Sequence, residues 1–271
     1  MVKVFVGTEH EFYMDGYLTQ NLDTAKSVIQ KDWDMIFAVD GMEGGGKSVI
    51  AMQIAKYCDP EFTIDNMAFN ARHFKIKIRE AKKYQAIVYD EAYAGLNSRA
   101  AMSFINRSLV SMLTEIRQKN LFVFIVLPCF FDLDKYVALW RSRALIHVYT
   151  GKGFKRGFFE FYNVNRKKDL YMKGKKLYEY NFVKPNFRGS FTNHYTVDET
   201  KYRKAKAKSL SERESINEQA ELYMMVRDLM FEKLFKAGDN LTHEQKMGVL
   251  EMPPATYFRK LKRMREVVAL S

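Results

Sequence analysis

Residues 41–48 read Gly-Met-Glu-Gly-Gly-Gly-Lys-Ser, which fits G-x-x-x-x-G-K-[ST], the spacing of a loop that cradles phosphate. Gly41, Gly44, Gly45 and Gly46 let the backbone turn tightly enough for its N–H groups to converge on phosphate oxygens. Lys47 is set to neutralise the β- and γ-phosphates, and Ser48 offers a hydroxyl to Mg²⁺. A second group follows 42 residues after Ser48, where Ala-Ile-Val-Tyr leads into Asp90 and Glu91. An Asp at the end of a neighbouring strand can hold Mg²⁺, and a Glu beside it can polarise an attacking water as general base. A chance match in a glycine-rich turn, and a buried strand with a solvated acidic end, are the plainer readings of the two groups. The spacing and the flanks of the first motif favour the chemical ones.

Those flanks are what the chemistry needs. Residues 34–40 form an apolar run of strand length, and residues 48–57 carry Val49, Ile50, Met52, Ile54 and Ala55 at helical spacing. Strand, glycine loop and helix in that order bring a helix N-terminus, with its positive dipole end, to the anion. Onward from there the chain predicts a strand at 62–69, a helix at 71–83, the Asp90/Glu91 strand and a long helix at 99–118. A buried strand at 121–127, a helix at 133–141 and a strand at 144–149 complete the core. Alternation of this kind implies an α/β fold with a mostly parallel sheet and helices on both faces. Ligands in such sheets bind at the carboxyl ends of the strands, where both motifs fall. Residues 1–33 read as a short preface with a helix at 18–32, capped by Asn21 or Asp23.

Composition and charge bound the rest. The chain has 271 residues and is 47% hydrophobic, enough for one α/β domain and a small appendage. Cys58 and Cys129 have no metal-ligand partners at useful spacing and make no disulfide framework, which points to a reducing cytosol. No signal-peptide pattern opens the sequence, and its most apolar stretch, 121–131, is too short to span a bilayer and contains Pro128. The net charge of +12 is uneven: residues 151–210 carry 16 Lys/Arg against 5 Asp/Glu, while 1–150 and 211–271 are close to balanced. That basic segment is rich in Phe and Tyr and carries turn signals at Gly151, Gly153, residues 163–165, Gly174 and Gly189, so it reads as a β-hairpin or two followed by a linker helix at 201–209. Cations interleaved with rings suit phosphates and bases of nucleic acid; a solvated β-rich extension accounts for the same composition.

Beyond a helical stretch at 211–236, Thr242 and Gln245 form a capping-box pattern, Gly248 offers a small residue for close helix approach, and Pro253 and Pro254 break the chain before a basic helix. Tyr257, Leu261 and Met264 share one face of that helix, with Arg259, Lys260, Lys262 and Arg263 around it. This is similar to a helix-turn-helix unit, whose second helix enters the DNA major groove; a basic tail used for packing or assembly is the alternative. The domains expected are thus 1–150, a P-loop core with its preface; 151–210, a basic extension; and 211–271, a helical helix-turn-helix-like unit.

On residues 41–48, Asp90 and Glu91 the core resembles the ASCE division of P-loop ATPases, which are RecA/AAA-like in fold, and within it the FtsK/HerA-type translocases of viruses and mobile elements. Residues 114–118, the apolar strand after them and residues 134–143 are softer points of likeness, and the layout is also similar to zonular-occludens-toxin-like phage ATPases. The resemblance implies ATP and Mg²⁺ as cofactors, ATP being favoured because no N-K-x-D guanine signature occurs. It implies a homo-oligomeric ring of five or six subunits in the cytoplasm, acting on DNA, with an arginine supplied in trans. Arg141 and Arg143 are the candidates, then Arg117. The sequence departs from the family in two places. The polar γ-phosphate sensor expected after the fourth strand reads Val126-Leu127-Pro128, and the membrane helix of the toxin-like proteins has no counterpart. The reading is a DNA translocation or packaging ATPase; an AAA+-like loader or regulator that acts on a helicase or transposase through an ATP switch is the alternative, with a protein partner.

Overall fold

The computed structural model describes residues 1–9, 11–90, 110–211, 226–227, 230–231, 234 and 241–269. These divide into two compact units, Met1–Ser209 and Leu210–Ser271.

The first unit is built on a sheet. Strand β3 (Met35–Gly41) is buried along its whole length and lies between β6 (Phe122–Val126) and β7 (Ser142–Tyr149), parallel to both. Strand β5 (Ala86–Asp90) pairs with β6 on its other side, and the two-residue β4 (Met67–Ala68) pairs with β5. These five strands are parallel. Strands β8 (Phe158–Asn163) and β9 (Phe187–Ser190) then extend the sheet antiparallel from β7, giving the order β4-β5-β6-β3-β7-β8-β9. The fold is therefore α/β with a seven-stranded, mostly parallel sheet.

Alternation along the strands divides the apolar side chains between two layers. Met35, Phe37 and Val39 face α1 (Gly16–Ile29) and α2 (Lys47–Cys58). Ile36 and Ala38 face α3 (Ala71–Glu80), α4 (described over 110–118) and α5 (Val164–Gly174). A small hairpin of β1 (Val2–Val4) and β2 (Phe12–Met14) precedes α1.

Several expectations differ in detail, each for a physical reason. The first helix starts at Gly16, because Asp15 accepts a hydrogen bond from Leu18 N (3.0 Å); Asn21 and Asp23 lie inside it. The strand expected at 62–69 shrinks to β4, since Thr63 and Asn66 close a reciprocal capping box around a 3₁₀ turn. The helix expected at 133–141 ends in a wide π turn, Val137–Arg141, preceded by a 3₁₀ turn at Phe130–Asp132. Carbonyls at the end of that turn are taken by side chains: Ala138 O accepts from Lys167 Nζ (2.5 Å) and Ser142 Oγ (3.0 Å), and Leu139 O accepts from Lys167 Nζ (3.3 Å).

One hairpin expected around Gly151 and Gly153 is formed, by β7 and β8 across residues 150–157, but the return to β9 runs through α5 and not a tight turn. Asn163, read as a turn residue, caps α5 by accepting from Arg166 N (3.1 Å). Residues 151–209 therefore belong to the sheet unit and do not form a separate extension. The linker helix expected at 201–209 is observed as α6 over 199–211. Asp198 starts it, accepting from Lys201 N (2.9 Å). The 99–118 helix is described only from residue 110, and most of the 211–236 helix lies outside the described residues.

In the second unit, α7 (His243–Val249) and α8 (Pro254–Ala269) close over Phe231, Leu250, Met252, Tyr257 and Leu261. The Thr242/Gln245 capping box is formed in both directions. Among the described residues, nothing approaches Gly248 closely: a Cβ there would meet none of them within 4 Å. No helix among the described residues is long and apolar enough to cross a membrane.

Candidate phosphate and metal site

The 41–48 loop leaves the carboxyl end of β3 and opens α2. Its glycines at 41, 44 and 46 have φ of 132°, 73° and 101°, the left-handed region where a side chain is strained. Contacts impose the same choice at two of them. A Cβ on Gly41 would lie 2.0 Å from the Val148 carbonyl oxygen of β7, and one on Gly46 would meet the Phe191 ring at 3.0 Å. Gly45 is tight as well: a Cβ there would lie 3.1 Å from Met42 O. The Lys47 ammonium folds back over the loop and donates to Gly41 O (2.6 Å) and Met42 O (2.9 Å). Burial pulls its pKa below the ordinary lysine value, against the opposing charges of Asp40, Glu43 and Asp90.

Ser48 lies in the first turn of α2, and Asp90 ends β5, two strands away in the sheet. Both reach one point. The Lys206 ammonium of α6 stands 3.0 Å from Asp90 Oδ2 and 3.4 Å from Ser48 Oγ. Tyr202, one helical turn earlier, donates its hydroxyl to Asp90 Oδ2 (2.7 Å) and accepts from Lys206 Nζ (3.0 Å). Asp90 is 2% exposed, so all of this takes place with the carboxylate out of water. The carboxyl end of β6, between the two motifs, is apolar: Val126 and Leu127 are buried. Glu91 lies outside the described residues.

No protein-family model, no curated protein and no solved structure matches the chain.

Arg141, Arg143 and Arg117 gather elsewhere, on the turn 32–34 that leads into the amino end of β3. Arg141 is hydrogen-bonded to the buried Asp34 carboxylate, and Arg143 lies 3.8 Å from its other oxygen and 4.8 Å over the Trp33 ring. Arg117 pairs with Asp32 (3.0 Å). The structure thus groups these three with each other and leaves them at the opposite end of the strands from the 41–48 loop. Among the described residues, Arg156 is an arginine beside the loop, its guanidinium 3.7 Å from where a Cβ on Gly44 would lie.

Sequence reasoning also passed over Asp40. It is fully buried beside the loop and accepts from Phe130 N (2.8 Å), from the Tyr180 hydroxyl and from the His147 ring at Nδ1 (2.9 Å). His147 stacks on Tyr180 with ring centroids 3.8 Å apart. Desolvation pulls the imidazole pKa down, but the Asp40 charge and hydrogen bond outweigh it, helped by Glu160 and opposed by Lys47, so the net shift is upward. A histidine with a raised folded pKa adds stability that is complete below its unfolded value, about 6.5, and is lost as pH rises through the folded one. Thermal melts of the wild type should therefore fall from pH 6.5 upward in a way that His147→Asn lacks. Parallel melting profiles for the two proteins would remove the imidazolium–Asp40 pair from the account.

Proposed function

We propose that the chain is an ATPase that holds Mg-ATP on the 41–48 loop and couples hydrolysis to work on DNA. The observation that carries this reading is the convergence of a glycine nest, Lys47, Ser48 and the buried Asp90 at the carboxyl ends of a parallel sheet. The nest and the start of α2 suit a polyphosphate. Ser48 and Asp90 are the residues that would hold the metal, a hydroxyl and one carboxylate being a donor set suited to Mg²⁺ that keeps substrate phosphates and waters as its other ligands. The bound metal supplies charge neutralisation on the phosphates. Lys47 would add a second positive charge by turning from Gly41 O and Met42 O to the phosphates. Glu91, next in sequence to Asp90, is the candidate for orienting water.

Action on DNA is supported by the excess of basic residues in 151–210 and by the short capped helix α7 leading into the basic helix α8. Within a ring, an arginine in trans remains part of the proposal; Arg141 and Arg143 would have to leave Asp34 to serve. The loader reading shares every feature of the site and differs only in what stimulates turnover.

Lys47→Ala should weaken ATP binding by about 10–100-fold, the equivalent of one hydrogen bond to a charged group. Equilibrium binding with Mg²⁺ present measures it, and unchanged affinity would end the phosphate-loop assignment. Hydrolysis should then rise with duplex length for a motor. Flat hydrolysis on DNA, with stimulation by a second protein, would replace the motor with the loader.

A further inference from the structure

The phosphate site already contains a cation of its own. Lys206 reaches from α6 to within hydrogen-bonding distance of the two residues that would otherwise hold a metal, Ser48 Oγ at 3.4 Å and Asp90 Oδ2 at 3.0 Å. Its position is fixed from several sides. Tyr202 bonds both Lys206 and Asp90, and its ring lies 5.8 Å from Phe69 and 5.8 Å from Tyr195. Ser209, near the other end of the helix, donates to Phe69 O (2.9 Å). The segment leading into α6 is tied down on α2: Gln53 donates to Thr192 O (2.7 Å) and His194 O (2.9 Å), and Thr196 donates to Met52 O (3.0 Å). The ammonium itself stays on the rim, with 29% of the Lys206 side chain exposed.

The placement has an electrostatic consequence. A buried carboxylate facing a polyphosphate site repels the ligand unless a cation stands between them. Lys206 is such a cation, and it lies close enough to Lys47 for each to act on the other's charge. One ammonium at Gly41 and Met42 and a second at Ser48 place two positive charges at the two ends of the 41–48 loop, a pairing suited to a multiply charged anion. Lysine suits the role because it is a point charge on a flexible four-carbon stem, so it can swing aside without moving the helix that bears it.

We propose that Lys206 is a nucleotide-binding residue that occupies the metal position, so that the chain takes up a nucleoside di- or triphosphate free of divalent ion and Mg²⁺ replaces the ammonium afterwards. This rests on the phosphate-loop reading and adds to it a second form of ligand and an order of events. Lysine and metal are alternatives at one place. Mg²⁺ gives up its hydration shell reluctantly, and a site that binds the polyphosphate first offers the metal ready-made oxygens.

The test compares ATP dissociation constants in EDTA and in excess Mg²⁺ by calorimetry, for wild type, Lys206→Met and Lys206→Gln. Lys204→Met, on an exposed position of the same helix, controls for lost charge. Lys206→Met should bind ATP at least about tenfold more weakly in EDTA, one charge-assisted hydrogen bond being lost. In Mg²⁺ it should bind as well as wild type or better, so the ratio of the two constants rises by about tenfold or more. Lys206→Gln guards against a folding artefact and should follow the same direction, its melting temperature being checked first. A ratio unchanged within twofold, in a protein whose binding still depends on Lys47, would overturn this inference alone. ATP binding that is absent, or indifferent to Lys47→Ala, would overturn the phosphate-loop reading and take this inference with it.

Discussion

Gly41→Ala should lose about 3–5 kcal/mol of folding stability, with or without nucleotide. Two effects add. The residue sits at φ 132°, where a side chain is strained, and its Cβ would be driven to 2.0 Å from a backbone oxygen of β7. That oxygen belongs to Val148, the direct register partner of Gly41 in the centre of the sheet, so relief requires two parallel strands to separate. A loss of this size is a large part of the roughly 5–15 kcal/mol that a domain has in total. Urea unfolding measures it. Gly153→Ala is the comparison, because Gly153 also has positive φ (68°) but meets nothing within 4 Å, and it should lose only the conformational part. If Gly41→Ala matched Gly153→Ala, the contact with Val148 would not be what fixes glycine at this position. The expected result also separates two reasons for one residue: Gly41 is required by the sheet before any phosphate is considered.

Asp34→Ala should be the second large loss, about 3–5 kcal/mol, because it removes one partner of a buried ion pair and leaves the other charged. Asp34 is 1% exposed and holds Arg141 and Arg143 together at the amino end of β3. The two guanidinium groups would then repel each other in a site where the Arg141 side chain is only 18% exposed. Arg141→Ala should likewise destabilise, since it strands Asp34 with the more distant Arg143. Melting both variants tests this, and it bears on function. An arginine acting only in trans on a neighbour's nucleotide would lower hydrolysis and leave the melting temperature where it was. A stability loss in Arg141→Ala shows that any such duty would be shared with holding up the first unit.

The motif residues and the central strands were legible because each is local. Strands β3, β5 and β6 are continuous apolar runs, and the glycine loop lies between one such run and a helical pattern. Their order was not legible. Nothing in residues 122–126 says that they insert between β3 and β5, since that depends on which buried edges meet. Asn163 shows a second limit. An asparagine before a polar stretch is chemically as good a helix cap as a turn residue, and only the packing of Leu170 and Tyr171 under α5 decides. At the site, Lys47, Ser48 and Asp90 announced themselves by spacing. Lys206 and Asp40 did not. Lys206 is 116 residues from Asp90, and Asp40 is 107 from His147, in stretches that read as solvated charge and ordinary strand. Arg141 and Arg143 were legible as a pair at a helix end, but nothing placed Arg117 beside them, and Asp34, the partner of the pair, reads from sequence as the polar start of a strand.

The order of strands has a bearing on how the chain comes to be folded at all. Both neighbours of β3 come from far downstream: Met35 faces Phe122, and Gly41 faces Val148. During synthesis the glycine loop therefore emerges with an unpaired strand in front of it that is apolar from Met35 to Val39. Its first partner, β6, is complete only at Val126, a delay of about 4–17 s at ordinary elongation rates, and its second, β7, follows later still. Loop closure on that scale is slow, and an apolar strand waiting for partners is a place where chains associate wrongly. Any fragment that stops short of β7 keeps the phosphate-loop sequence intact but lacks the Val148 carbonyl against which Gly41 is set, so the motif can be carried by a chain that has not yet acquired its shape.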